Sequence, residues 1–456
     1  MSAILKQAPV NGTFDAWPRC PEATAFFEGL FAKACADSPE LKTLSERFHE
    51  TAGVQIQRLL DHWTLPDSLA TREQLNRIGM SEGKTFDSEE RVWFHPAARF
   101  PRVRFEEGLT SPRMCLAVES LSDFSEANSL QLPGQHGDAD SGYEEVRFRL
   151  QKGELAAIVR QGYSGFTPGS LSAAELQALK GIRDELRHRN REGDDEAVLA
   201  ETQRLVLSLC EMIGKDRATD EFFAAEREYY MARNLASRVQ FERQQEIGIG
   251  WANHDHHTYR CSRKLFRPLI NLWLEMGFIL RERFYAGVEA GWGAQVLEHP
   301  VSKVVLFCDV DMAPHELNID FSSVQLPPQV SLGTIGIWCA LHGDSIGKAG
   351  LHHLEAEFDY EKTRSLFEAS GTKVMPAFTD LPMLKQAFTE GEIWKVNPAR
   401  VDALLAEGVI SEEQARKFLS FGATGSHLEI LQRWEGFKGF NKTGISDIIL
   451  QTDARK

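Results

Sequence analysis

The sequence lacks the features that define several large classes of protein. It has no run of about 18 apolar residues, the length that a membrane-spanning helix requires. Its N-terminus shows no long apolar segment after a basic start, so we expect no secretory signal. The seven cysteines include no Cys-x-x-Cys pair, and their number is odd. We therefore expect neither a disulfide framework nor a zinc–thiolate site. We expect a cytoplasmic location.

An excess of positive charge is also missing. The net charge is -15, whereas a protein that binds nucleic acid needs a basic face to displace counterions. We therefore expect neither nucleic acid nor a membrane as a partner, but a small-molecule substrate. Apolar residues make up 42% of the 456 residues, enough for two or three globular domains. Self-association into a homo-oligomer stays open.

The first half of the chain shows mixed periodicity. Residues 38–64 have helical apolar spacing, residues 110–165 look like strands, and residues 171–245 are strongly helical. "YEEVRFRLQKGELAAIVRQGY" predicts a hairpin around "QKG". No internal repeat is visible. We predict a mixed, helix-rich region over residues 1–245, without assigning its role.

The second half has a different pattern. After residue 250 a short strand, a helix and several strands follow one another, and the same order begins again near residue 350. Two such units predict an α+β fold in which tandem βαβββ modules form a half-open barrel. We place the first module at residues 246–345. The second, with a C-terminal segment, occupies residues 346–456.

Three histidines lie close together in "NHDHHTYRCSR". If residues 254–260 form a strand, side chains alternate between its two faces. The alternation puts His254, His256, Thr258 and Arg260 on one face, and Asp255, His257 and Tyr259 on the other. A potential metal ligand and a cation then share a face, which suits a site for a metal and an anionic substrate. The alternative is an exposed polar edge.

A second polar group opens the second predicted module. In "LHHLEAEF", alternation puts His353 on one face with Glu355 and Glu357, and His352 on the other with Leu354 and Phe358. A lone histidine in such a strand is more often structural than a metal ligand. His353, however, opens its module much as His256 opens the first module.

The third polar group lies in the late strand "GSHLEILQRW", where His427 and Glu429 share a face. A buried carboxylate is costly without a partner, and a divalent cation would offset that cost. The alternative is an exposed glutamate on a half-buried strand. Two histidines and one carboxylate on separate strands are typical of non-haem Fe(II) oxygenases. The pattern predicts that His256, His353 and Glu429 bind a metal.

The same three segments resemble a known family. "HLEILQRWEGFKGF" is similar to the late motif of 4-hydroxyphenylpyruvate dioxygenases, and the match makes Glu429 the metal-binding glutamate. "GLHHLEAEFDYEKTRSLFEASGTKVMP" is similar to that family's second ligand segment, which makes His353 a ligand. The opening stretch resembles the first ligand strand of the vicinal oxygen chelate superfamily, which makes His256 the first. The resemblance covers about residues 250–445.

Another branch resembles the opening stretch more closely. The 2-oxoadipate dioxygenase/decarboxylases carry His-x-x-x-Arg there, which His256 and Arg260 match, and their arginine holds a substrate carboxylate. The resemblance implies an Fe(II) dioxygenase that uses O₂ for oxidative decarboxylation and hydroxylation of a 2-oxo acid. Its catalytic residues are then the three ligands, and Arg260 with Thr258 would bind substrate.

Two other classes of function fit the same fold. A metal-dependent epimerase, isomerase or lyase would use the metal without redox chemistry, with Glu355 or Glu357 as the base. A non-catalytic protein would only bind the small molecule. His254 and His257 are expected either to support the site or to be structural, and the role of His427 stays open.

Overall fold

The computed structural model describes residues 17–86, 88–131, 136–137, 141–169, 171–287, 290–316, 318–329, 331–440 and 453. The described residues form thirteen α-helices, eighteen strands and two short 3₁₀ helices, Ile56–Leu59 and Pro314–Glu316. Most strands belong to two eight-stranded sheets. None of the described helices combines the length and the apolarity needed to cross a membrane.

The first sheet comes from the N-terminal part of the chain. Its strands are β1 (Leu60–Pro66), β2 (Ser81–Lys84), β3 (Arg91–Phe94), β4 (Arg102–Glu106), β5 (Arg113–Ala117), β6 (His136–Gly137), β7 (Tyr143–Arg149) and β8 (Glu154–Arg160). The helices that precede or cross it are α1 (Pro21–Asp37), α2 (Pro39–Ala52), α3 (Leu69–Arg77) and α4 (Leu121–Ala127). The predicted hairpin is confirmed as β7 and β8, whereas α4 interrupts the stretch predicted as strands.

The prediction of one helical segment over residues 38–64 is wrong in its second half. Helix α2 ends at Gly53, whose φ of 68° is left-handed and whose N–H bonds back to His49 and Phe48. Glycine adopts this conformation without steric cost, so it terminates the helix. The residues that follow form the 3₁₀ helix Ile56–Leu59 and then β1. A short apolar run has no period that separates a buried strand from a buried helix.

Four helices link the two sheets and confirm the helical prediction for residues 171–245. They are α5 (Ala173–Arg187), α6 (Asp195–Ile213), α7 (Lys215–Arg233) and α8 (Leu235–Gln245). Helix α7 packs on the second sheet through Phe223, which contacts Tyr259 and Trp273. One hydrophobic core therefore runs through both parts of the chain.

The second sheet holds the residues singled out above. Its strands are β9 (His254–Arg260), β10 (Ile279–Tyr285), β11 (Trp292–Glu298), β12 (Val305–Asp311), β13 (His353–Glu357), β14 (Thr379–Leu381), β15 (Leu384–Phe388) and β18 (His427–Arg433). Helices α9 (Arg263–Glu275), α10 (Thr334–His342) and α11 (Tyr360–Ala369) accompany it. A small sheet of β16 (Ile393–Trp394) and β17 (Ala423–Thr424), with α12 (Pro398–Ala406) and α13 (Glu412–Phe421), is inserted before β18.

The strand order confirms the predicted α+β fold of tandem βαβββ modules. It is β10-β11-β12-β9-β13-β18-β15-β14, so the first strands of the two modules, β9 and β13, meet antiparallel at the centre. Each pairs in parallel with the last strand of its own module, β12 or β18. The domain boundaries at residues 245 and 345 stay predictions.

The first sheet repeats this topology. Its order is β2-β3-β4-β1-β5-β8-β7-β6, and β1 and β5 take the places of β9 and β13. Even a local irregularity is repeated. In β1, Asp61 is an extra residue that has no partner in β5. In β9, the two residues Asp255 and His256 lie opposite the single residue Glu355 of β13. The sequences Asp-His-x-Thr at 61–64 and 255–258 therefore occupy matching positions in the two sheets. This duplication was not predicted, because no internal repeat is visible in the sequence.

The bulge corrects the predicted alternation in β9. In a bulge two neighbouring residues oppose one residue of the partner strand, which breaks the strict two-residue period. His254 therefore lies beside His257, with ring centroids 5.4 Å apart, rather than beside His256. Asp255 turns toward His256 instead, and its Oδ2 lies 3.5 Å from His256 Nδ1. The grouping of His256 with Thr258 and Arg260 is unaffected.

An ion cluster at the bulge of the first sheet should carry measurable stability. Asp61 contacts Arg160 at 2.6 Å and Arg102 at 3.1 Å, and all three are largely buried. We expect Asp61→Ala to lower the free energy of unfolding by about 3–5 kcal/mol, because two buried cations lose their partner. Denaturant unfolding measures this. Asp67→Ala, at an exposed ion pair with Arg72, should change it by less than about 1 kcal/mol.

The same cluster predicts the effect of acid. Burial favours the neutral form of Asp61, but Arg160 and Arg102 outweigh it and hold the pKa of Asp61 well below its usual range. When the pKa of a carboxyl is lower in the folded state, its ionised form stabilises the protein. This contribution is complete at pH values above the pKa in the unfolded state, about 3.9, and is lost as the pH falls through the pKa in the folded state. The difference in stability between wild type and Asp61→Ala should therefore persist to about pH 4 and shrink below it.

Candidate metal centre

Three neighbouring strands bring the predicted ligands together. Strand β13 lies between β9 and β18, with His353 opposite Thr258 on one side and Glu355 opposite Glu429 on the other. His256, His353 and Glu429 each offer a ligand atom, and these atoms lie within 4.8 Å of one another. Glu429 Oε2 lies 2.9 Å from His353 Nε2 and 3.7 Å from His256 Nε2. All three side chains are buried.

Burial prepares this cluster for a cation. Desolvation holds the pKa of His353 well below its usual range, so its imidazole is neutral, the form that binds a metal. Thr258 adds a hydroxyl, whose Oγ1 lies 2.7 Å from His353 Nε2. Two imidazoles and one carboxylate at a common point are a donor set that suits Fe(II). The residues present therefore fit the metal that the sequence predicts.

A second group of possible ligands shares His256. It consists of Asp255, His256 and Glu355, whose ligand atoms also lie within 4.8 Å of one another. Asp255, however, is already in ion pairs with Arg433, at 3.0 Å, and with Arg99. Its carboxylate is thus neutralised without a metal.

The duplicated sheet explains the Asp255 ion pairs. Arg160 ends β8 as Arg433 ends β18, and it binds Asp61 as Arg433 binds Asp255. In that sheet Arg113 takes the place of His353, opposite Thr64. Ala156 takes the place of Glu429. The Asp–Arg pair therefore recurs where the ligand set is missing, and it belongs to the bulge rather than to a metal site.

Aromatic rings border the cluster. The ring of Phe307 lies 4.5 Å from that of His256, and Phe440 lies 5.3 Å from it on another side. Phe388 lies 5.3 Å from His353. Apolar walls of this kind lower the local dielectric and strengthen each polar interaction between them.

Arg260, which was predicted to bind a carboxylate of the substrate, is buried. Its Nε and Nη1 have no hydrogen-bond partner among the described residues. The guanidinium carbon lies 5.4 Å from the centre of the Trp338 ring. Asp309 is its register partner on β12, yet Asp309 Oδ1 also lacks a donor in the described part of the chain. Since unpaired buried donors are costly, the arrangement favours an anionic ligand at Arg260.

Several polar groups around Arg260 and the candidate ligands were given no role from the sequence. Burial raises the pKa of Asp309 to about 7, although Arg260 opposes the shift. His352 Nε2 and His427 Nε2 lack a hydrogen-bond partner among the described residues. Gln386 bonds to both Glu355 and Glu429. The polar glutamine inside the short strand "LKQAF" was the only feature of the sequence that could have indicated the contacts of Gln386.

A large cavity bordered by described residues lies elsewhere. It has a volume of about 1390 Å³, and residues of both sheets line it. Its lining includes His254, Asp255 and Arg433, but none of the three residues of the candidate centre. The site is therefore assigned by the chemistry of its side chains and not by cavity size.

Comparisons with known proteins point to similar structures only. No protein-family model matches the chain, and no curated protein matches it in sequence. A proposed hydrolase from Shewanella frigidimarina NCIMB 400 is 14% identical, with a TM-score of 0.34, over 48% of this chain and 96% of its own. A proposed glyoxalase-superfamily protein from Ralstonia eutropha JMP134 is 12% identical, with a TM-score of 0.32, over 58% and 97%.

A triple variant of 4-hydroxymandelate synthase from Streptomyces coelicolor is 11% identical to this chain, with a TM-score of 0.29. The match covers 74% of this chain and 94% of that one. The fold of the present protein rests on its own strand order, described above.

Proposed function

We propose that this protein is an Fe(II)-dependent dioxygenase that acts on a 2-oxo acid. The observation that carries the proposal is a cluster of two histidines and one carboxylate beside Arg260, which lies on the His256 face of its strand. Arg260 is buried, and its Nε and Nη1 have no hydrogen-bond partner among the described residues. Such a cluster occupies one side of a metal and leaves positions open for substrate and O₂. The reaction would be oxidative decarboxylation followed by hydroxylation.

The chain's own residues would divide the work. His256, His353 and Glu429 would hold Fe(II), which supplies open coordination positions and an electron source for O₂. Arg260 would bind a carboxylate of the substrate through its planar fork, which matches carboxylate geometry. Thr258, which lies between His256 and Arg260 on β9 and has its hydroxyl 2.7 Å from His353 Nε2, would border the substrate.

The charges in this region suit a small carboxylate. His256 and Arg260 are four residues apart on one strand, so their Cα atoms lie roughly 13 Å apart. A substrate that chelates the metal at one end could therefore reach Arg260 with a polar group at its other end. The thiols of all seven cysteines are free, which agrees with the proposed reducing, cytoplasmic environment.

Oxygen uptake tests the proposal directly. Protein purified without oxygen should contain iron, or bind one equivalent of added Fe(II). An oxygen electrode should then record uptake with at least one 2-oxo acid from a panel that includes 2-oxoadipate and 4-hydroxyphenylpyruvate, with CO₂ released in equal amount. Iron-loaded protein that consumes no oxygen with any member of the panel would contradict the assignment.

A metal-dependent epimerase or isomerase is the second candidate. Burial, together with the nearby Glu429, raises the pKa of Glu355 to about 7, which suits a general base. This function predicts exchange of a substrate proton for deuterium in D₂O without oxygen. Deuterium exchange without oxygen uptake would contradict the dioxygenase and support the epimerase or isomerase.

A further inference from the structure

The first observation is the environment of His256 Nδ1. Because of the bulge, Glu355 is the residue of β13 that faces His256. Glu355 Oε1 lies 2.7 Å from His256 Nδ1, whereas Asp255 Oδ2 lies 3.5 Å away. The side chain of Glu355 is completely buried. Its Oε1 forms no hydrogen bond of regular geometry with the described residues, and Arg433 Nη2 lies 3.9 Å from it.

This contact would select one tautomer of the imidazole. A carboxylate next to Nδ1 favours a proton on that nitrogen, which leaves the lone pair of Nε2 free for a metal. Nε2 is the atom of His256 that points toward Glu429, at 3.7 Å. The position of Glu355 therefore agrees with the direction that metal binding requires.

The second observation is the side-chain amide of Gln386. Its Nε2 carries two hydrogens. It donates to Glu355 Oε2 at 2.9 Å and to Glu429 Oε1 at 3.0 Å. One amide group thus fixes both carboxylates, and it leaves Glu429 Oε2 facing the two histidines.

The third observation comes from the duplicated sheet. There Cys115 takes the place of Glu355, opposite the bulge. His62 Nδ1 instead contacts the adjacent Asp61 at 2.6 Å. Glu145 takes the place of Gln386, and it binds Tyr143 and Arg147. The sheet that lacks the ligand set therefore also lacks the Glu355–Gln386 pair.

We infer that Glu355 is a positioning residue that orients His256 for metal binding, and that Gln386 couples it to Glu429. The inference rests on the proposed metal centre. Neither residue is expected to touch the substrate. Loss of such a partner of a metal ligand typically weakens metal binding by about 10–100-fold.

The test measures metal affinity of the full-length apoprotein. Fe(II), and Co(II) as an air-stable probe, would be titrated against a competing chelator without substrate. We expect Glu355→Ala to raise the dissociation constant about 10–100-fold, and Gln386→Leu to raise it by a smaller factor. Glu355→Gln keeps an oxygen that can accept from Nδ1, so it should recover part of the loss.

A neighbouring carboxylate provides the control. Glu357 is buried two residues along the same strand and faces Arg433, 3.9 Å away, rather than His256. Glu357→Gln should leave the metal dissociation constant within about twofold of wild type. If Glu355→Ala does not fold, as judged by circular dichroism, Glu355→Gln and Gln386→Leu decide the result by the same titration.

Two failures are distinguishable. If the Glu355 and Gln386 variants bind metal as tightly as wild type, while His353→Ala and Glu429→Ala lose it, the positioning role is wrong and the metal centre stands. If His353→Ala and Glu429→Ala also keep full affinity, the metal centre itself is wrong, and the inference falls with it.

Discussion

Alanine in place of Glu429, His353 or His256 should remove the bound metal and abolish turnover. Each variant deletes one of three ligands that meet at a single buried point. Glu429 should be the most severe, because it is the only one of the three that supplies negative charge. Two neutral histidines hold a divalent cation far less tightly in a buried site that has lost its counter-charge. Metal analysis and oxygen uptake would measure both losses.

His254 and His257 provide matched controls on the same strand. His254 bonds to the carbonyl of Trp251 at 2.8 Å, and His257 packs on Phe223, with ring centroids 5.2 Å apart. Neither contributes to the group of three ligands. His254→Ala and His257→Ala should keep their metal, although the buried His257 position should lose stability. Metal loss in His257→Ala with metal retained in His256→Ala would show that the assigned register is wrong by one residue.

Arg260→Lys should raise KM strongly while leaving iron content near that of wild type. Lysine keeps the charge but loses the planar fork that pairs with a carboxylate through two hydrogen bonds. A hydrogen bond to a charged group contributes about 1.5–3 kcal/mol, so KM should rise about ten- to a hundredfold. Steady-state oxygen uptake with the best substrate measures KM. Unchanged kinetics in both Arg260→Lys and Arg260→Ala would show that Arg260 does not bind the substrate carboxylate.

Arg263 is the control for that experiment. It is also buried, three residues further on, but its guanidinium is fully engaged. It binds Glu316 through two nitrogens, at 2.8 and 2.5 Å, and the carbonyl oxygen of Asp311 at 2.8 Å. Arg263→Lys should therefore lower the free energy of unfolding without changing KM. The contrast separates a substrate-binding arginine from a structural one.

Local periodicity was enough to locate the strands that carry the candidate ligands. Strands β9, β13 and β18 were all expected from the alternation of their side chains, and their order along the chain predicted the tandem modules. A strand's period of two residues is a local property, so it can be read from the sequence. The grouping of His256, His353 and Glu429 followed from that period and from the resemblance, and the structure brings these residues together.

Only the tertiary structure decided which neighbours these residues meet. The bulge in β9 moved His254 away from His256 and brought Asp255 toward it, and a bulge depends on the pairing with β13. The contacts of His256 with Glu355, and of Gln386 with Glu429, join residues that are far apart in the chain. Arg260 could be placed on the correct strand face from sequence. That its Nε and Nη1 have no hydrogen-bond partner among the described residues depends on every element packed around it. Long-range pairing has no period of its own, and hydrogen-bond satisfaction is a property of the assembled interior.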